Sequence, residues 1–521
     1  MNLDPWMLSL DLGTQSVRAL LIDLRGEVRG KAQLAFDQYV SLQEGWHEHD
    51  AETFWQAAAS VCRRVLQAHA HDHAAERVQG LTVTTQRGTL VPIDAAGQPL
   101  RRFITWLDQR RASRLPRINP GWWLAFRAAR VDETIDYFQR EAELNWMAEH
   151  EPDLLARTHK VLLVSGWLNY RLTGRYADST ASQVGYLPFD FKRQQWASAR
   201  DWKWQALHVR REWLPELVPP GTTLGGLTPD AAEATGLRVG LPVIAAAADK
   251  ACEIVGAGAI EPHIGALSYG TTATIDVTTP RYVEALPFLP PYPALLPGHY
   301  NTEVQIFRGY WLVRWFKEQF GHPEVAEATG AGVSVEPLFD RLVAQVPPGS
   351  QGLMLQPYWT PGIRHPGPEA RGAVIGFSDV HTRAHLYRAI LEGLGYALRE
   401  GCVRIQQRSG TTVTTLRVSG GGAQSDAAMQ LTADIFGLPA ARPHTFETSG
   451  LGAAIAGAVG LGLYADFPSA VAGMTRLGSS FEPHPGHQAL YDALYHGVYR
   501  RMYGRLAPLY DQLRRILPAS A

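Results

Sequence analysis

Two aspartates stand where a carboxylate costs free energy unless it is solvated, paired or given a ligand. Asp249 follows Leu241-Pro242-Val243-Ile244-Ala245-Ala246-Ala247-Ala248, an apolar run that reads as a buried strand, and Asp11 closes the run Met7-Leu8-Ser9-Leu10 just ahead of Gly13-Thr14-Gln15-Ser16. At Asp249 the chemistry this suggests is a general base that takes the proton of an attacking hydroxyl, as phosphoryl transfer to an alcohol requires. A pair with Lys250 or a helix N-cap is the alternative. At Asp11 the carboxylate suits a hydrated divalent cation beside phosphates, with the N–H and hydroxyl groups of Gly13 and Thr14 on phosphate oxygens and Arg18 adding a positive charge. Asp also caps turns, which leaves a purely structural role open there.

A third signal is Thr415-Leu416-Arg417-Val418-Ser419-Gly420-Gly421-Gly422-Ala423-Gln424-Ser425-Asp426. A short strand runs into three glycines, whose missing Cβ atoms let backbone approach a flat base or a phosphate closely. A helix is expected to start near Ser425, to carry Ala428, Leu431, Thr432 and Ile435 on one face, and to stop at Gly437-Leu438-Pro439. Its N-terminus would offer N–H groups and partial positive charge to an anion. A tight strand-to-helix turn with no ligand has the same pattern. The segment is neither a Walker A loop nor the six-residue dinucleotide fingerprint. Two polar clusters, Thr84-Thr85-Gln86-Arg87-Gly88-Thr89 and Trp106-Leu107-Asp108-Gln109-Arg110, flank the strand-like Leu90-Val91-Pro92-Ile93 and hold the amide, guanidinium, carboxylate and indole groups that bind polyol hydroxyls.

Elements that position these residues can be read around them. Gly13-Thr14-Gln15-Ser16 lies between two β-prone runs and reads as a hairpin turn. Gly265-Ala266-Leu267-Ser268-Tyr269-Gly270-Thr271-Thr272-Ala273-Thr274-Ile275-Asp276-Val277 repeats the pattern about half a chain later. That spacing suggests two related domains, although two unrelated hairpins would look alike. Phe54, Ala58, Val61 and Val65 give Ala51 to Ala70 a helical period, and Leu81-Thr82-Val83-Thr84-Thr85 then reads as a strand. Alternation of helices and strands argues for an α/β fold. Gly256-Ala257-Gly258-Ala259-Ile260-Glu261-Pro262 reads as a connection, giving domains at 1–260 and 261–521, and the Pro-rich Leu286 to Pro297 reads as a loop or insertion.

The chain has 521 residues, 49 Lys and Arg against 50 Asp and Glu, and a net charge of −1. Such a balance gives no support for a nucleic-acid or anionic-membrane partner. With 45% hydrophobic residues and 15 Trp there is ample material for a large core. Cys62, Cys252 and Cys402 are too few and too far apart for a disulfide framework or a CxxC metal pair, which favours a reducing cytoplasm. Ser449 to Ala465 is uncharged but rich in Gly and Ala, and falls short of the ~18 residues of a convincing membrane span.

Taken together and in this order, the segments from Leu8 to about Phe467 resemble the FGGY family of carbohydrate kinases. The resemblance implies two actin-like domains of the ribonuclease H type around a cleft, the polyol held mainly by the N-terminal domain, ATP and Mg²⁺ largely by the C-terminal one, and closure over the sugar. It makes Asp11 and Asp249 metal-linked carboxylates and Asp249 the general base. Gly13, Thr14 and Arg18 match the first phosphate loop, Gly270, Thr271 and Thr272 the second, and Gly421, Gly422, Ala423 and Ser425 the adenosine loop, with Gly309 near a further nucleotide contact. Gln86 and Arg87 look like the Gln-Arg pair of glycerol kinases, but Gly88 stands where those enzymes have Glu. Lys250 stands where the family has Gln or Asn, which points to an acidic or phosphorylated acceptor as one alternative. Trp106 and Tyr137 complete the expected acceptor contacts. Val164 to Gly174, with Asp178-Ser179-Thr180-Ala181-Ser182 after it, resembles an architectural segment of the family. The resemblance leaves a homodimer open. An actin-like ATP-binding switch that phosphorylates no sugar is the reading from another class.

Overall fold

The N-terminal apolar run forms strand β1 (Trp6–Leu12), buried along its length, and the chain returns as β2 (Ser16–Asp23) after a turn in which Gly13 N–H donates to the Ser16 carbonyl at 3.0 Å. With β3 (Val28–Ala35), β4 (Val78–Thr85), β5 (Thr223–Gly226) and β6 (Pro242–Ala248) these strands make a six-stranded sheet, ordered β5-β6-β4-β1-β2-β3. β1, β2 and β3 are antiparallel neighbours, β4 and β6 run parallel to β1, and β5 is antiparallel to β6. Central strands covered on both faces need apolar side chains in both directions, which is why β1 and β6 read as nearly unbroken apolar runs.

The structure is a computed structural model and describes residues 3–36, 39–333, 335–362 and 365–517. The chain forms two units. The first comprises the chain to Ile260 together with Pro280–Asn301 and Glu447–Thr475; the second comprises Glu261–Thr279, Thr302–Phe446 and the chain from Arg476. In the second unit β7 (Ile264–Tyr269), β8 (Ala273–Thr279), β9 (Tyr300–Ile306, which belongs to this unit from Thr302 onward), β10 (Thr415–Ser419), β11 (Ala440–Pro443) and β12 (Leu477–Phe481) run in the order β9-β8-β7-β10-β11-β12. The antiparallel β7/β8 pair, the parallel β7/β10 and β10/β11 pairs and the antiparallel β11/β12 pair repeat the first sheet's pattern. The two Gly-Thr hairpins are therefore equivalent turns of a duplicated sheet.

Helix α1 (Ala51–Ala68) starts where Asp50 accepts from the Glu52 and Thr53 N–H groups, and buries Phe54, Ala58, Val61 and Val65 as their spacing anticipates. α2 (Asp249–Gly256) follows β6 directly. α3 (Asp426–Phe436) is capped by Ser425, whose Oγ accepts from Ala428 N–H, and ends at Gly437 with φ 66°. α4 (Thr448–Gly460) occupies most of the uncharged stretch and is buried rather than membrane-spanning; no helix among the described residues is long and apolar enough to cross a membrane.

A single cut at residue 260 does not describe the two units, because 280–301 and 447–475 return to the first. The physical reason for the second return is small side chains. A Cβ on Gly256 of α2 would strike the Thr448 carbonyl oxygen, and one on Gly452 of α4 would strike the Cys252 carbonyl oxygen, so only glycines let these helices lie flush. The Pro-rich segment likewise contains a short strand, Tyr292–Pro293, rather than loop alone. Within the first unit, helix Val164–Thr173 ends at Gly174 in the left-handed region. Beside it, buried Asp178 accepts from Ser165 Oγ at 2.7 Å, Gln183 Nε2 at 2.8 Å and Asn169 Nδ2 at 3.0 Å. Burial pushes its carboxyl up to about 6 in spite of these donors. The segment is a buried polar brace.

Candidate active site

Sheet register in the first unit brings three of the sequence signals to one edge. Leu12 of β1 pairs with Thr85 of β4, and Thr85 pairs with Ala248 of β6. The next residues, Gly13, Gln86 and Asp249, therefore leave the ends of three adjacent parallel strands, where irregular backbone and unpaired strand ends accommodate ligands. Gln86 N–H reaches back to the Leu12 carbonyl at 2.9 Å. Its side chain is buried, and Oε1 has no hydrogen-bond partner among the described residues, an acceptor suited to a hydroxyl donor.

Asp11 is only 6% exposed and lies 3.4 Å from Arg18 Nη1. Burial pushes its carboxyl up to about 7, with Asp249, Glu447 and Glu253 adding to the rise and Arg18 opposing it. Arg18 is shared, since it also reaches Glu447 at 3.1 Å, and Glu447 in turn meets Lys31 Nζ at 2.5 Å. Thr14 is fixed from two sides: its Oγ1 accepts from Trp106 Nε1 at 2.9 Å, and its carbonyl accepts from Tyr39 Oη at 3.0 Å. The indole of Trp106 thus braces the phosphate-loop candidate.

Asp249 is the first residue of α2 and is partly exposed; its Oδ1 accepts from the Lys250 backbone N–H at 2.8 Å. Burial raises its pKa above the ordinary carboxylate value, and Lys250 and Arg87 hold it down. A carboxylate whose proton affinity is raised while one edge stays open is suited to accept a hydroxyl proton. Lys250 Nζ donates to Glu253 Oε2 at 2.8 Å. Burial alone would lower the ammonium pKa, but Glu253 and Asp249 outweigh it and raise it. Arg87 holds its guanidinium 4.9 Å from the ring centre of Tyr292.

Other members of the polar clusters serve the scaffold. Arg110 grips Asp108 through two bonds of 2.7 Å, lies 2.9 Å from Glu48, and stacks 4.0 Å from the Trp46 ring. Both side chains are nearly inaccessible, at 2% and 3% exposure. The expectation that this carboxylate and guanidinium bind hydroxyls is therefore corrected: they are buried against one another, and Asp108 also accepts from the His47 N–H at 2.7 Å. Tyr137 has Arg111 5.7 Å above its ring, and neighbouring Phe138 packs against Tyr186 at 5.6 Å. Tyr137 also shares a hydrogen bond with Tyr186, and Tyr186 in turn lies close enough to Tyr292, the ring beside Arg87, for the two hydroxyls to influence one another.

In the second unit the equivalent turn closes through Gly270 N–H on the Thr272 carbonyl at 3.1 Å. Tyr310 N–H donates to the Gly270 carbonyl at 3.1 Å and Trp311 N–H to that of Thr271 at 3.3 Å. Gly309 fits there because a Cβ would come within 2.8 Å of Ala273 Cα. Tyr310 stacks on Tyr269 at 4.4 Å, and a Cβ on Gly422 would strike the Tyr310 ring. One aromatic stack thus joins Gly270, Thr271, Thr272 and Gly309 to the glycine loop. Gly420 takes φ +84° against Tyr269 backbone, whereas Gly421 faces open space. Ala423 is fully buried and its N–H is spent on the Gly420 carbonyl at 3.1 Å. Ser425 Oγ donates to Asp340 at 2.5 Å, and Asp340 also accepts from Ala427 N–H at 3.4 Å. A carboxylate of the protein therefore sits at the start of α3, where the sequence suggests an outside anion.

Sequence reasoning misses Glu447, Glu253, Tyr292, Asp340 and Tyr310. Tyr310 was accessible through its adjacency to Gly309. Glu447 and Tyr292 lie in the two returning segments, and no local pattern marks them.

Residues 6–256 match the family model described as FGGY family of carbohydrate kinases, N-terminal domain, and residues 265–461 match that family's C-terminal domain. A xylulose kinase of Lactococcus lactis is 28% identical over 512 residues, covering 98% of both chains. A glycerol kinase of Dechloromonas aromatica is 30% identical over 496 residues, covering 92% of this chain and 93% of its own. Among solved structures, a xylulose kinase from Rhodospirillum rubrum superposes with a TM-score of 0.80 at 27% identity, over 97% of this chain and 100% of that one.

Proposed function

The chain belongs to the FGGY family of carbohydrate kinases, and from that premise we propose that it transfers the γ-phosphoryl group of ATP to a hydroxyl of a small sugar or polyol, with Asp249 as general base. The observation that carries the reading is the convergence of Gly13, Gln86 and Asp249 at the ends of β1, β4 and β6. Gln86 and Arg87 hold acceptor hydroxyls, the Asp249 carboxylate orients the attacking one, and the proton passes to Asp249 as its oxygen meets phosphorus. Thr14, Arg18 and the Gly270-Thr271-Thr272 turn present N–H, hydroxyl and guanidinium donors to phosphate oxygens. The nucleotide lies against Gly421, the glycine with an open face.

Asp11 and Asp249 are the residues that would hold Mg²⁺, which supplies positive charge against the phosphates when bound. The donor set fits: two carboxylates with raised pKa values repel one another, and a hard cation that keeps several waters needs no more from the protein. An acidic or phosphorylated acceptor is the second reading, favoured by Arg87 beside Asp249 and weakened by the engagement of Lys250 with Glu253.

The test is ADP release with ATP and Mg²⁺ across polyols, ketopentoses, tetritols and sugar acids. Release above the acceptor-less background with a neutral polyol or ketose supports the proposal, and release with sugar acids alone supports the second reading. Tight ATP binding with no response to any acceptor contradicts both and favours a nucleotide-driven switch.

A further inference from the structure

The C-terminal end of α1 carries His69-Ala70-His71-Asp72-His73, a turn that takes no part in the site above. α1 stops at Ala68, and the chain folds back through a single 3₁₀ turn, with Asp72 N–H on the His69 carbonyl and His73 N–H on the Ala70 carbonyl, both at 3.1 Å. The fold-back sets two imidazole nitrogens and one carboxylate oxygen around one point. Asp72 Oδ2 lies 3.3 Å from His69 Nδ1 and 3.2 Å from His71 Nε2, and the ligand atoms of all three residues fall within 4.8 Å of one another. Tetrahedral coordination with bonds of about 2.0–2.1 Å separates neighbouring donors by about 3.3 Å. The two short separations already have that value.

Two further features prepare the turn for a ligand. β3 passes His69 at Gly30, where a Cβ would come within 2.6 Å of the imidazole Cδ2 and 2.7 Å of Nε2. The glycine lets the ring rest edge-on against the strand with Nδ1 turned toward Asp72. The mouth is open, since the His71 side chain is 74% exposed and that of Asp72 43%. His73 takes no part, being turned into the left-handed region and paired with Glu76 at 3.2 Å.

We propose that His69, His71 and Asp72 form a surface site for a divalent transition-metal ion of the zinc class, with water in the fourth position. Two imidazoles and one carboxylate are a donor set for such ions, whereas magnesium and calcium take oxygen. An ion there ties the end of α1 to the turn that follows it, and binding to the folded chain alone stabilises that chain by mass action.

Chelator-treated full-length protein titrated with Zn²⁺ by calorimetry, and with Co²⁺ by visible absorption, tests this. The expected result is a Zn²⁺ site whose affinity falls roughly tenfold or more in His71→Ala and in Asp72→Asn, the scale at which loss of even a supporting partner weakens a metal site. The four-coordinate Co²⁺ absorption should vanish in both variants, and Zn²⁺ should raise the melting temperature of the unaltered protein but not of His71→Ala. Acceptor-dependent ADP release with Mg²⁺ should be unchanged in His71→Ala, which shows that the variant folds. Equal Zn²⁺ affinity and stoichiometry in the unaltered protein and both variants, or no binding to the unaltered protein, would overturn the proposal and leave Asp72 as a hydrogen-bond acceptor between two imidazoles.

Discussion

A carboxyl that titrates at about 7 makes the ligand-free protein sensitive to pH where kinases are usually assayed, and Asp11 is such a group. Its folded pKa lies above its ordinary value of 3.8, so its contribution to stability is fully present below about 4 and is lost as pH rises through about 7. Asp11→Asn should therefore raise the melting temperature of the ligand-free protein more at about pH 8 than at about pH 5. Mg²⁺ with ATP should protect the unaltered protein at the higher pH more than the variant. An equal shift at both pH values would show that Asp11 ionises normally. Asp11 and Asp249 were legible in the sequence because each is a charge at the end of an apolar strand. Glu447, which shares Arg18 with Asp11, was not: its sequence neighbours carry no pattern, and the sequence distance from Arg18 is bridged only by folding.

At the scale of elements, Asp249 is held by the seat of α2 on α4. Gly452→Ala would press a methyl group onto the Cys252 carbonyl, an overpacking expected to cost about 1–3 kcal/mol. We expect a lower melting temperature together with a fall in kcat larger than any change in KM for ATP, because the displaced helix begins at Asp249, the proposed base. An unchanged kcat would detach the helix contact from catalysis. Gly422→Ala acts on the other machinery: the added methyl meets the Tyr310 ring, so KM for ATP should rise severalfold while KM for the acceptor stays put. Steady-state kinetics with each substrate varied separates the two. Strands and helices around these glycines could be read from apolar runs, caps and stops. Ser425 and Gly437 marked the ends of α3 correctly because capping is local chemistry. That Asp340 fills the start of α3 could not be read, since it comes from a distant helix.

For the molecule as a whole, the repeated Gly-Thr hairpin was the visible trace of a duplicated sheet, and the first crossing between units could be placed near residue 260 from a glycine-rich connection. The returns at 280–301 and 447–475 were hidden, because a segment's allegiance is set by which surface its side chains fit rather than by its position in the chain. The same division explains why acceptor choice is harder to read than reaction type. The residues proposed to do the chemistry lie at the ends of regular strands, whereas Arg87, proposed to hold the acceptor, comes from a turn and packs against Tyr292 of a returning segment.

The central claim is that Asp249 removes the acceptor's proton. The direct measurement is acceptor-dependent ADP formation by Asp249→Asn beside the unaltered protein, with ATP affinity determined for both. Asn keeps the size and the hydrogen bond but cannot take the proton, so turnover should fall by about 10²–10⁴-fold while ATP still binds. Turnover equal to that of the unaltered protein would contradict the account.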